Sequence, residues 1–358
     1  MKRLKNILTE GILDDIESTL AKSDYEIDKM QIDEFIRKNY KQISSKYRIS
    51  KKKNKDGKYE LSSTGAIWIN SLATELVNDL FVWKKVRSFF VSNNDNIKNL
   101  IGAPREVTNL YCHYSYNLES LEGCPEKIDG EVNLKFTSIK SLVGLPEKVG
   151  RLQCGHCDNL IDLKGCPQII DSDSSDLNGD CLFNECKNLR TLDGGPMYVK
   201  GKFDVDDCSN LISLKGSPKE CLHYWCVNCT SLTSFDGAPE KINGSFVGSH
   251  CSNVKYLDVH YMKVARNFSC EYCANLKSFR GAPKVINGAF LADGCRGVRN
   301  LVGLPNVIGK ELYLVKTGIT SLEGCPKKVG ELFDIHFAGR QFEKEEISAV
   351  CSVPNIAV

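Results

Sequence analysis

The chain has 358 residues, a net charge of +2 and 42% hydrophobic residues. This length and hydrophobic content allow a sizeable core, and the near-neutral charge argues against a general affinity for nucleic acid or membranes. No apolar run reaches the ~18 residues of a membrane-spanning helix, and the N-terminus carries no secretory signal. The 17 cysteines are an odd number in a large chain, which favours reduced thiols in a cytoplasm over a disulfide framework.

Residues 1–45 predict an α-helical N-terminal module. Apolar residues recur at helical spacing between residues 4 and 20, and a second apolar stripe lies within residues 25–43. These helices either cap the first repeat of the domain that follows or direct assembly and targeting. The start, residues 1–11, resembles the N-terminal peptides that send internal proteins of tailed phages into the capsid, which implies a virion component as an alternative.

Residues 46–65 predict a basic hairpin or cap. Residues 46–58 contain seven basic side chains and one acidic side chain, so the stretch could contact phosphates. Asp56-Gly57 is a hairpin turn signal between two short apolar alternations. A lysine-rich hairpin that blocks pairing at a sheet edge is therefore favoured, and nucleic acid is not expected as a partner.

Residues 66–342 predict a solenoid of about 13 repeats. Ten of the 11 prolines stand in Gly-x-Pro triplets, and successive prolines are 21 or 22 residues apart except for one step of 29 and one of 44. The longer step covers two repeats and places a missing triplet near residues 258–260. A fixed period in this range is the signature of a leucine-rich solenoid.

Within one repeat, Leu152 and Cys154 alternate as the inward face of a short strand, and Cys157, Leu160 and Leu163 follow as further core positions. The pattern resembles the leucine-rich repeat in its cysteine-bearing form, and it is similar to the short, proline-punctuated repeats of bacterial effectors and tailed-phage proteins. This resemblance implies a leucine-rich-repeat-like solenoid with short parallel strands and a mostly irregular convex side. Aligning the repeats produces two inward columns, which begin at Ile67 and Ile69.

One column of the aligned repeats contains seven cysteines: Cys157, Cys186, Cys208, Cys229, Cys251, Cys273 and Cys295. A thiol at this position, where the strand turns, is expected to act as a small apolar side chain with a weak donor near unpaired backbone groups. Two cysteine columns three residues apart also create Cys-x-x-Cys pairs at residues 154/157, 226/229 and 270/273. Stacked strands would hold the last two pairs ~10 Å apart, which is too far for one zinc ion. The core interpretation is favoured, and no metal or other cofactor is expected.

Two further motifs have structural interpretations. Cys154-Gly-His-Cys157 matches the motif of disulfide isomerases, but it lacks the helix N-terminus that lowers a thiol pKa. The acidic insertion at residues 171–180 resembles a calcium loop, yet Asp176 and Leu182 stand where that loop needs Gly and Glu. A solvated acidic loop is favoured there, with a calcium site as the alternative.

One outward residue per strand forms a row along the predicted concave sheet. Eight of its 12 members are aromatic or aliphatic, whereas a solvated face should be mostly polar. Because Trp and Tyr dominate binding hot spots, these eight are the predicted partner-binding residues: Trp68, Phe90, Tyr111, Leu182, Trp225, Val247, Leu291 and Tyr313. The four polar members are Asn133, Gln153, Asp204 and Ser269. The alternative is that the N-terminal helices or a second subunit covers the row.

The function expected from the sequence is a non-enzymatic protein–protein interaction scaffold that binds a protein partner, or a second subunit, on the concave face. No catalytic residue is predicted, because no histidine stands in a catalytic motif and no phosphate loop or nucleotide fingerprint is present. We expect neither a small-molecule substrate nor membrane association, and a cytoplasmic location in a bacterial or infected host cell. The alternative is a structural or packaged component of a phage virion. Residues 343–358 are expected to form a C-terminal cap and tail.

Overall fold

The computed structural model describes residues 10–172, 174 and 177–358. It shows a parallel β-solenoid of about 13 turns with few helices, which confirms the predicted repeat architecture at that level. The helices are α1 (Glu10–Asn39) and α2 (Lys344–Ser348). The strands, in chain order, are β1 (Tyr40–Ile43), β2 (Tyr47–Ile49), β3 (Tyr59–Ser63), β4 (Ala66–Ile69), β5 (Phe81–Phe90), β6 (Glu106–Tyr111), β7 (Lys127–Ile128), β8 (Glu131–Asn133), β9 (Lys148–Val149), β10 (Arg151–Gln153), β11 (Ile169–Ile170), β12 (Cys181–Leu182), β13 (Tyr198–Val199), β14 (Lys202–Asp204), β15 (Glu220–Cys221), β16 (His223–Trp225), β17 (Lys241–Ile242), β18 (Phe246–Val247), β19 (Lys263–Val264), β20 (Phe268–Ser269), β21 (Val285–Ile286), β22 (Phe290–Leu291), β23 (Val307–Ile308), β24 (Leu312–Tyr313), β25 (Lys328–Val329), β26 (Leu332–Asp334) and β27 (Asn355–Ala357).

Two sheets run along the solenoid, and their strands pair in parallel except in the pairs β1–β4 and β2–β3. From β9 to β26, each turn contributes one strand to each sheet. Sheet A contains β1–β8, the even-numbered strands from β10 to β26, and β27; sheet B contains the odd-numbered strands from β9 to β25. Pairing is in register, so that Leu152 lies beside Val132 on one side and Cys181 on the other. Equivalent residues of successive repeats therefore stack in columns.

Both predicted inward columns are buried. Every member of the first column, from Ile67 to Leu312, is 0% exposed. Within it, Tyr224 stacks between Phe203 and Phe246 with ring centroids 5.4 and 5.7 Å away. Because one unit cannot enclose these side chains, the core is made by contact between neighbouring turns.

The seven cysteines of the column each donate a hydrogen bond at a corner where a sheet A strand ends. The Cys157 thiol donates to the Leu134 carbonyl at 3.1 Å, and the Cys229 thiol donates to the Val205 carbonyl at 3.1 Å. Each acceptor belongs to the preceding turn and lies at the end of its inward pair. Ser115 occupies the same column and donates to the Val91 carbonyl at 2.8 Å. The predicted role of these cysteines, small core side chains with a weak donor, is confirmed.

The glycine of each Gly-x-Pro triplet turns the chain in a left-handed conformation. At Gly165, φ is +86°, and an added Cβ would lie 2.2 Å from the backbone nitrogen of Val143 in the preceding turn. Glycine is therefore strongly favoured where successive turns approach this closely. In the turn without a triplet, Asp258 takes that position with φ of 52°, as predicted for residues 258–260.

The N-terminal elements differ from the prediction. Helix α1 is continuous to Asn39, and the predicted helical stretch from Tyr40 to Ile43 is instead strand β1, which pairs antiparallel with β4. Tyr40 is buried, and its hydroxyl accepts a hydrogen bond from the Trp83 indole N–H at 2.9 Å. Strand β4 offers backbone N–H and C=O groups for pairing, and this pairing holds residues 40–43 as a strand although their apolar side chains have helical spacing in the sequence. Residues 1–9 lie outside the described residues.

The first turns of the solenoid are covered by α1 and by the basic hairpin. Phe35 of α1 contacts Phe81 at 5.7 Å, and Tyr25 contacts Tyr59 at 5.5 Å between ring centroids. The hairpin forms as predicted, with β2 pairing antiparallel to β3. At the other end, α2 is short, and the segment predicted as a tail adds β27 in parallel to β26.

The corner hydrogen bond predicts how substitution at Cys229 changes stability. In Cys229→Ala, the Val205 carbonyl loses its side-chain donor and a small cavity forms, so the free energy of unfolding in urea should fall by about 1–2 kcal/mol. Cys229→Ser keeps a donor, as Ser115 does in the same column, and should lose about half of that or less. Equal losses for the two variants would show that side-chain volume, rather than the donor, is what matters.

Candidate functional site

The predicted row lies on the outer side of sheet A and is aromatic over its first three strands. Trp68 and Phe90 stack with ring centroids 4.8 Å apart, and Phe90 and Tyr111 stack at 4.5 Å. All three rings remain partly exposed. The ring contacts described for α1 are with Tyr40, Tyr59 and Phe81 rather than with these three rings.

Polar side chains interrupt the row in the middle of the solenoid. Leu182 is only 8% exposed, and its neighbours Gln153 and Asp204 are 7% and 5% exposed, so this part of the row offers little surface to a partner. Arg151 lies 3.8 Å from Glu131 and 3.5 Å from Asp180, and it ties three successive turns together. The row therefore divides into two separate parts.

Glu131 forms the boundary of the first part. It accepts hydrogen bonds from the Tyr111 hydroxyl at 3.2 Å and from the Gln153 amide. Burial, followed by the nearby Glu131 carboxylate, raises the pKa of Tyr111 to about 12. Tyr111 therefore stays a neutral donor at physiological pH.

In the second part of the row, charged side chains of the chain itself contact the Trp225 ring. The Lys202 ammonium lies 3.9 Å from the centroid of the Trp225 ring and 2.7 Å from the Asp204 carboxylate. Val247, Leu291 and Tyr313 follow at intervals, with the buried Ser269 between the first two. No stacked ring contact joins these side chains among the described residues, in contrast to the first three strands.

A second column of exposed side chains lies just beyond the sheet A strands, which we call the ridge. Each member has a left-handed backbone, with φ between 56° and 61° for the non-glycine residues. This conformation suits Gly and Asn but is costly for bulky side chains. The ridge contains Asn93, Tyr114, Phe136, His156, Glu185, Asp207, Asn228, His250, Tyr272, Gly294, Lys316 and Phe337.

Three successive ridge residues carry stacked rings. Phe136 lies between Tyr114 at 4.8 Å and His156 at 4.1 Å, with interplanar angles of 15°. Tyr116 contacts Tyr114 at 6.4 Å and is tilted by 58°, so that its own face stays outside the stack. His113 connects this group to the sheet, since its ring lies 6.3 Å from Tyr111 and 5.5 Å from Tyr114.

Sheet and ridge rings thus form one continuous patch over the N-terminal turns, which we call the ring surface. None of its members is buried. They are Trp68, Phe90, Tyr111, His113, Tyr114, Tyr116, Phe136 and His156. Three of these were predicted from the row. The other five were missed, although an aromatic residue one position before the cysteine column at residues 114, 136 and 156 is visible in the aligned repeats.

A shallow cleft of about 290 Å³ lies beside the ridge stack, which we call the ring cleft. It is lined by Tyr116, Phe136, Thr137, Ser138, His156, Asp158 and Asn159. A wider cleft of about 800 Å³ lies between sheet A and the acidic insertion. Its lining mixes lysine and arginine with carboxylates, so it has no clear preference for one sign of ligand charge.

The alternative sites considered from the sequence have these surroundings. Within residues 10–172, 174 and 177–358, the structure has no group of three or more His, Cys, Asp or Glu side chains placed to hold a metal ion. In the acidic insertion, Asp171 pairs with Lys200 at 3.0 Å, and the calcium alternative depends on Asp173, Ser175 and Asp176, which lie outside the described residues. Burial raises the pKa of the Cys154 thiol well above its usual value, which does not suit a redox nucleophile.

Comparisons with protein-family models, curated proteins and solved structures find no match to this chain. Neither helix, over the residues described, combines the length and the hydropathy that crossing a membrane requires. The argument for function therefore depends on the chain's own surface.

The acidic side chains beside Trp225 predict a pH-dependent stability. Burial, followed by the neighbouring Asp204, raises the pKa of Asp206 to about 7. Because this pKa is higher than that of Asp in the unfolded chain, the folded protein binds the Asp206 proton more tightly. The resulting contribution to the free energy of unfolding is fully present below about pH 4 and is lost as the pH rises through 7. Asp206→Asn keeps the oxygen that accepts the Val227 N–H at 2.7 Å. The variant should be more stable than the wild type by about 1–2 kcal/mol at pH 8, a figure reduced for solvent screening, and equally stable at pH 4.

Urea unfolding at both pH values measures this difference. Asp129→Asn serves as the control, because Asp129 is an exposed carboxyl in an earlier turn of the solenoid. It should change the free energy of unfolding at neither pH. A gain from Asp206→Asn that is equal at pH 4 and pH 8 would contradict the assignment.

Proposed function

We propose that this chain is a non-enzymatic scaffold that binds a protein partner on the ring surface. The observation that carries the proposal is the unbroken series of ring contacts from Trp68 to His156, formed by side chains of which none is buried. Contiguous exposed aromatic side chains mark contact surfaces, and Trp and Tyr contribute much of the energy at such surfaces.

The backbone of the ridge supports the same proposal. A left-handed conformation costs an ordinary side chain roughly 1–2 kcal/mol, and Asn or Gly would avoid most of that cost at Tyr114, Phe136 and His156. Stacking between the rings returns only about 0.5–1.5 kcal/mol per pair. This cost recurs at every non-glycine ridge residue, so what distinguishes Tyr114, Phe136 and His156 is that three bulky rings are stacked there on successive turns.

The finer architectural assignment is also a proposal. The succession of Val149, Leu152, Cys154, Cys157 and Leu160 follows the spacing of the cysteine-bearing leucine-rich repeat, and these residues are buried. On that assignment sheet A is the concave face, and the ring surface lies at its N-terminal end. Partner binding on the concave sheet is the general use of such solenoids.

The N-terminal helix favours a scaffold over a packaged virion component. Ile32 and Ile36 of α1 are buried against the first turns, so this part of the helix is committed to the solenoid itself. A targeting role for residues 1–9 lies outside the described residues. The burial of Ile32 and Ile36 favours the alternative in which this part of the helix shields the first repeat.

The strain on the ridge makes the test sharp, because the same substitution should relieve strain and remove the binding surface. The double variant Tyr114→Asn/Phe136→Asn places a residue that tolerates the left-handed conformation at both sites. Its free energy of unfolding should stay within about 1 kcal/mol of the wild type. Capture of the partner from an extract of cells that naturally make the protein, quantified by mass spectrometry, should fall at least about tenfold.

Two matched variants serve as controls. Phe337→Asn makes the same change at another ridge position, where the ring is 79% exposed but lies outside the ring surface. Trp225→Ala/Tyr313→Ala removes the rings from the second part of the row. Both should retain partner capture. Retained capture by Tyr114→Asn/Phe136→Asn, with loss in Trp225→Ala/Tyr313→Ala, would move the binding surface to the C-terminal part of sheet A and refute the proposal.

A further inference from the structure

The ring cleft beside the ridge has a consistent chemical character. Its lining includes three rings, those of Tyr116, Phe136 and His156, together with the Asp158 carboxylate, and it contains no lysine or arginine. The face of Tyr116 is free, because this ring is tilted by 58° from the stacked Tyr114 and is 54% exposed. An aromatic face next to a carboxylate attracts a cationic group.

The same combination binds a cation at three other places in this chain. Lys202 lies 3.9 Å from the Trp225 ring centroid and 2.7 Å from Asp204, and Lys53 lies 5.1 Å from Tyr59 and 2.9 Å from Asp28. Arg340 lies 3.8 Å from the Phe342 ring centroid, with a terminal nitrogen 2.9 Å from Glu346. In each case one cation is shared between a ring and a carboxylate. Among the described residues, none of the chain's own lysines or arginines lies over a ring of the ring cleft.

The carboxylates around the ring cleft are arranged to accept a positive charge. Asp158 accepts the Lys187 N–H with one oxygen at 3.1 Å, and its other oxygen has no hydrogen-bond partner within the described part of the chain. Asp95, in the preceding turn, accepts the backbone N–H of Tyr116 at 3.0 Å and adds a second negative charge to this part of the surface. His156 is the one lining side chain that can itself become cationic, and its Nε2 lies 3.2 Å from Glu185, which offsets that charge.

We propose that the ring cleft binds the guanidinium of an arginine side chain presented by the protein partner. The planar guanidinium stacks on the free face of Tyr116 and donates to the unpartnered oxygen of Asp158. Arginine is chosen over lysine because its flat, weakly hydrated group combines stacking with directed hydrogen bonds in one site. The inference rests on the proposed function, since it names the chemistry by which the ring surface recognises its partner.

The test uses the full chain and two capped tripeptides that differ only in charge. Acetyl-Gly-Arg-Gly-amide carries the guanidinium, and acetyl-Gly-citrulline-Gly-amide is its neutral isostere. In NMR titrations at low salt, the citrulline peptide should bind at least about fivefold more weakly, because it lacks the cationic contribution to both contacts. Equal binding of the two peptides would refute the proposal.

Variants locate the site. Asp158→Asn keeps the oxygen that accepts the Lys187 N–H while removing the charge, and Tyr116→Ala removes the exposed ring from a turn. Each should weaken arginine-peptide binding by roughly two- to fivefold. Citrulline-peptide binding should be unchanged in Asp158→Asn and should fall less than arginine-peptide binding in Tyr116→Ala, because the neutral ureido group also packs on the ring. The controls make the same types of change away from the ring cleft: Tyr198→Ala in β13 of sheet B and Glu240→Gln just before β17, and they should alter neither titration. A loss in the controls as large as in Asp158→Asn would show general charge attraction and overturn the assignment.

The two proposals can fail separately. If the ring cleft shows no preference for arginine but Tyr114→Asn/Phe136→Asn abolishes partner capture, the protein-binding function stands and the arginine assignment falls. If the tripeptide results hold but partner capture is insensitive to the ridge variants, the ring cleft binds guanidinium and the proposed function is wrong.

Discussion

The hydrogen bond from a buried thiol or hydroxyl to the strand-end carbonyl of the preceding turn is the interaction on which the solenoid depends. Each sheet A strand is only two or three residues long from β8 to β26, so its last carbonyl lies at a corner beyond the ladder. At several turns this carbonyl also accepts a backbone N–H of its own turn, as Val205 does from Cys208 at 3.3 Å, so losing the side-chain donor would cost about 0.5–1.5 kcal/mol rather than the full penalty of an unpaired group. The side chain of the next turn fills the second hydrogen-bonding position of the carbonyl. Cysteine satisfies it with a side chain that is apolar enough to line the core, which accounts for the many cysteines without a metal or a disulfide.

The same corner determines where the surface is available for function. To bring the donor inward, the residue before it turns in a left-handed conformation, and its side chain points out along the ridge. Because this position recurs in each turn and faces solvent, its side chains form a column. Neighbouring members are about 4.8 Å apart, close to the distance at which rings stack. The ring surface is thus a consequence of the core architecture. The free-energy cost of its left-handed backbone is offset by the contacts that the rings make.

The sequence was sufficient to predict the structural features that recur with the repeat length. The inward columns, the burial of Cys157 and its equivalents, and the missing triplet at Asp258 all follow from spacing, because the core repeats with the chain. Outward residues carry no such constraint, so the alignment alone did not mark Tyr114 and Phe136 as a site, and only the left-handed backbone showed that their rings stack. The end of α1 was mispredicted at Tyr40 because helical spacing reports an apolar face, whereas the sheet edge that captures these residues is a tertiary feature.

Charge explains why the N-terminal turns, rather than the whole of sheet A, form the candidate site. At Trp225 the chain supplies its own cation, since Lys202 occupies the ring and Asp204 neutralises it. A partner would have to displace that lysine before using the ring, and the exchange would gain little because one cation replaces another. On the ring surface the rings stack on each other, and the carboxylate of Asp158 forms no ion pair within 4.0 Å among the described residues. Binding there adds a contact without breaking one, so the energetic advantage falls to the turns around Tyr116 and Phe136.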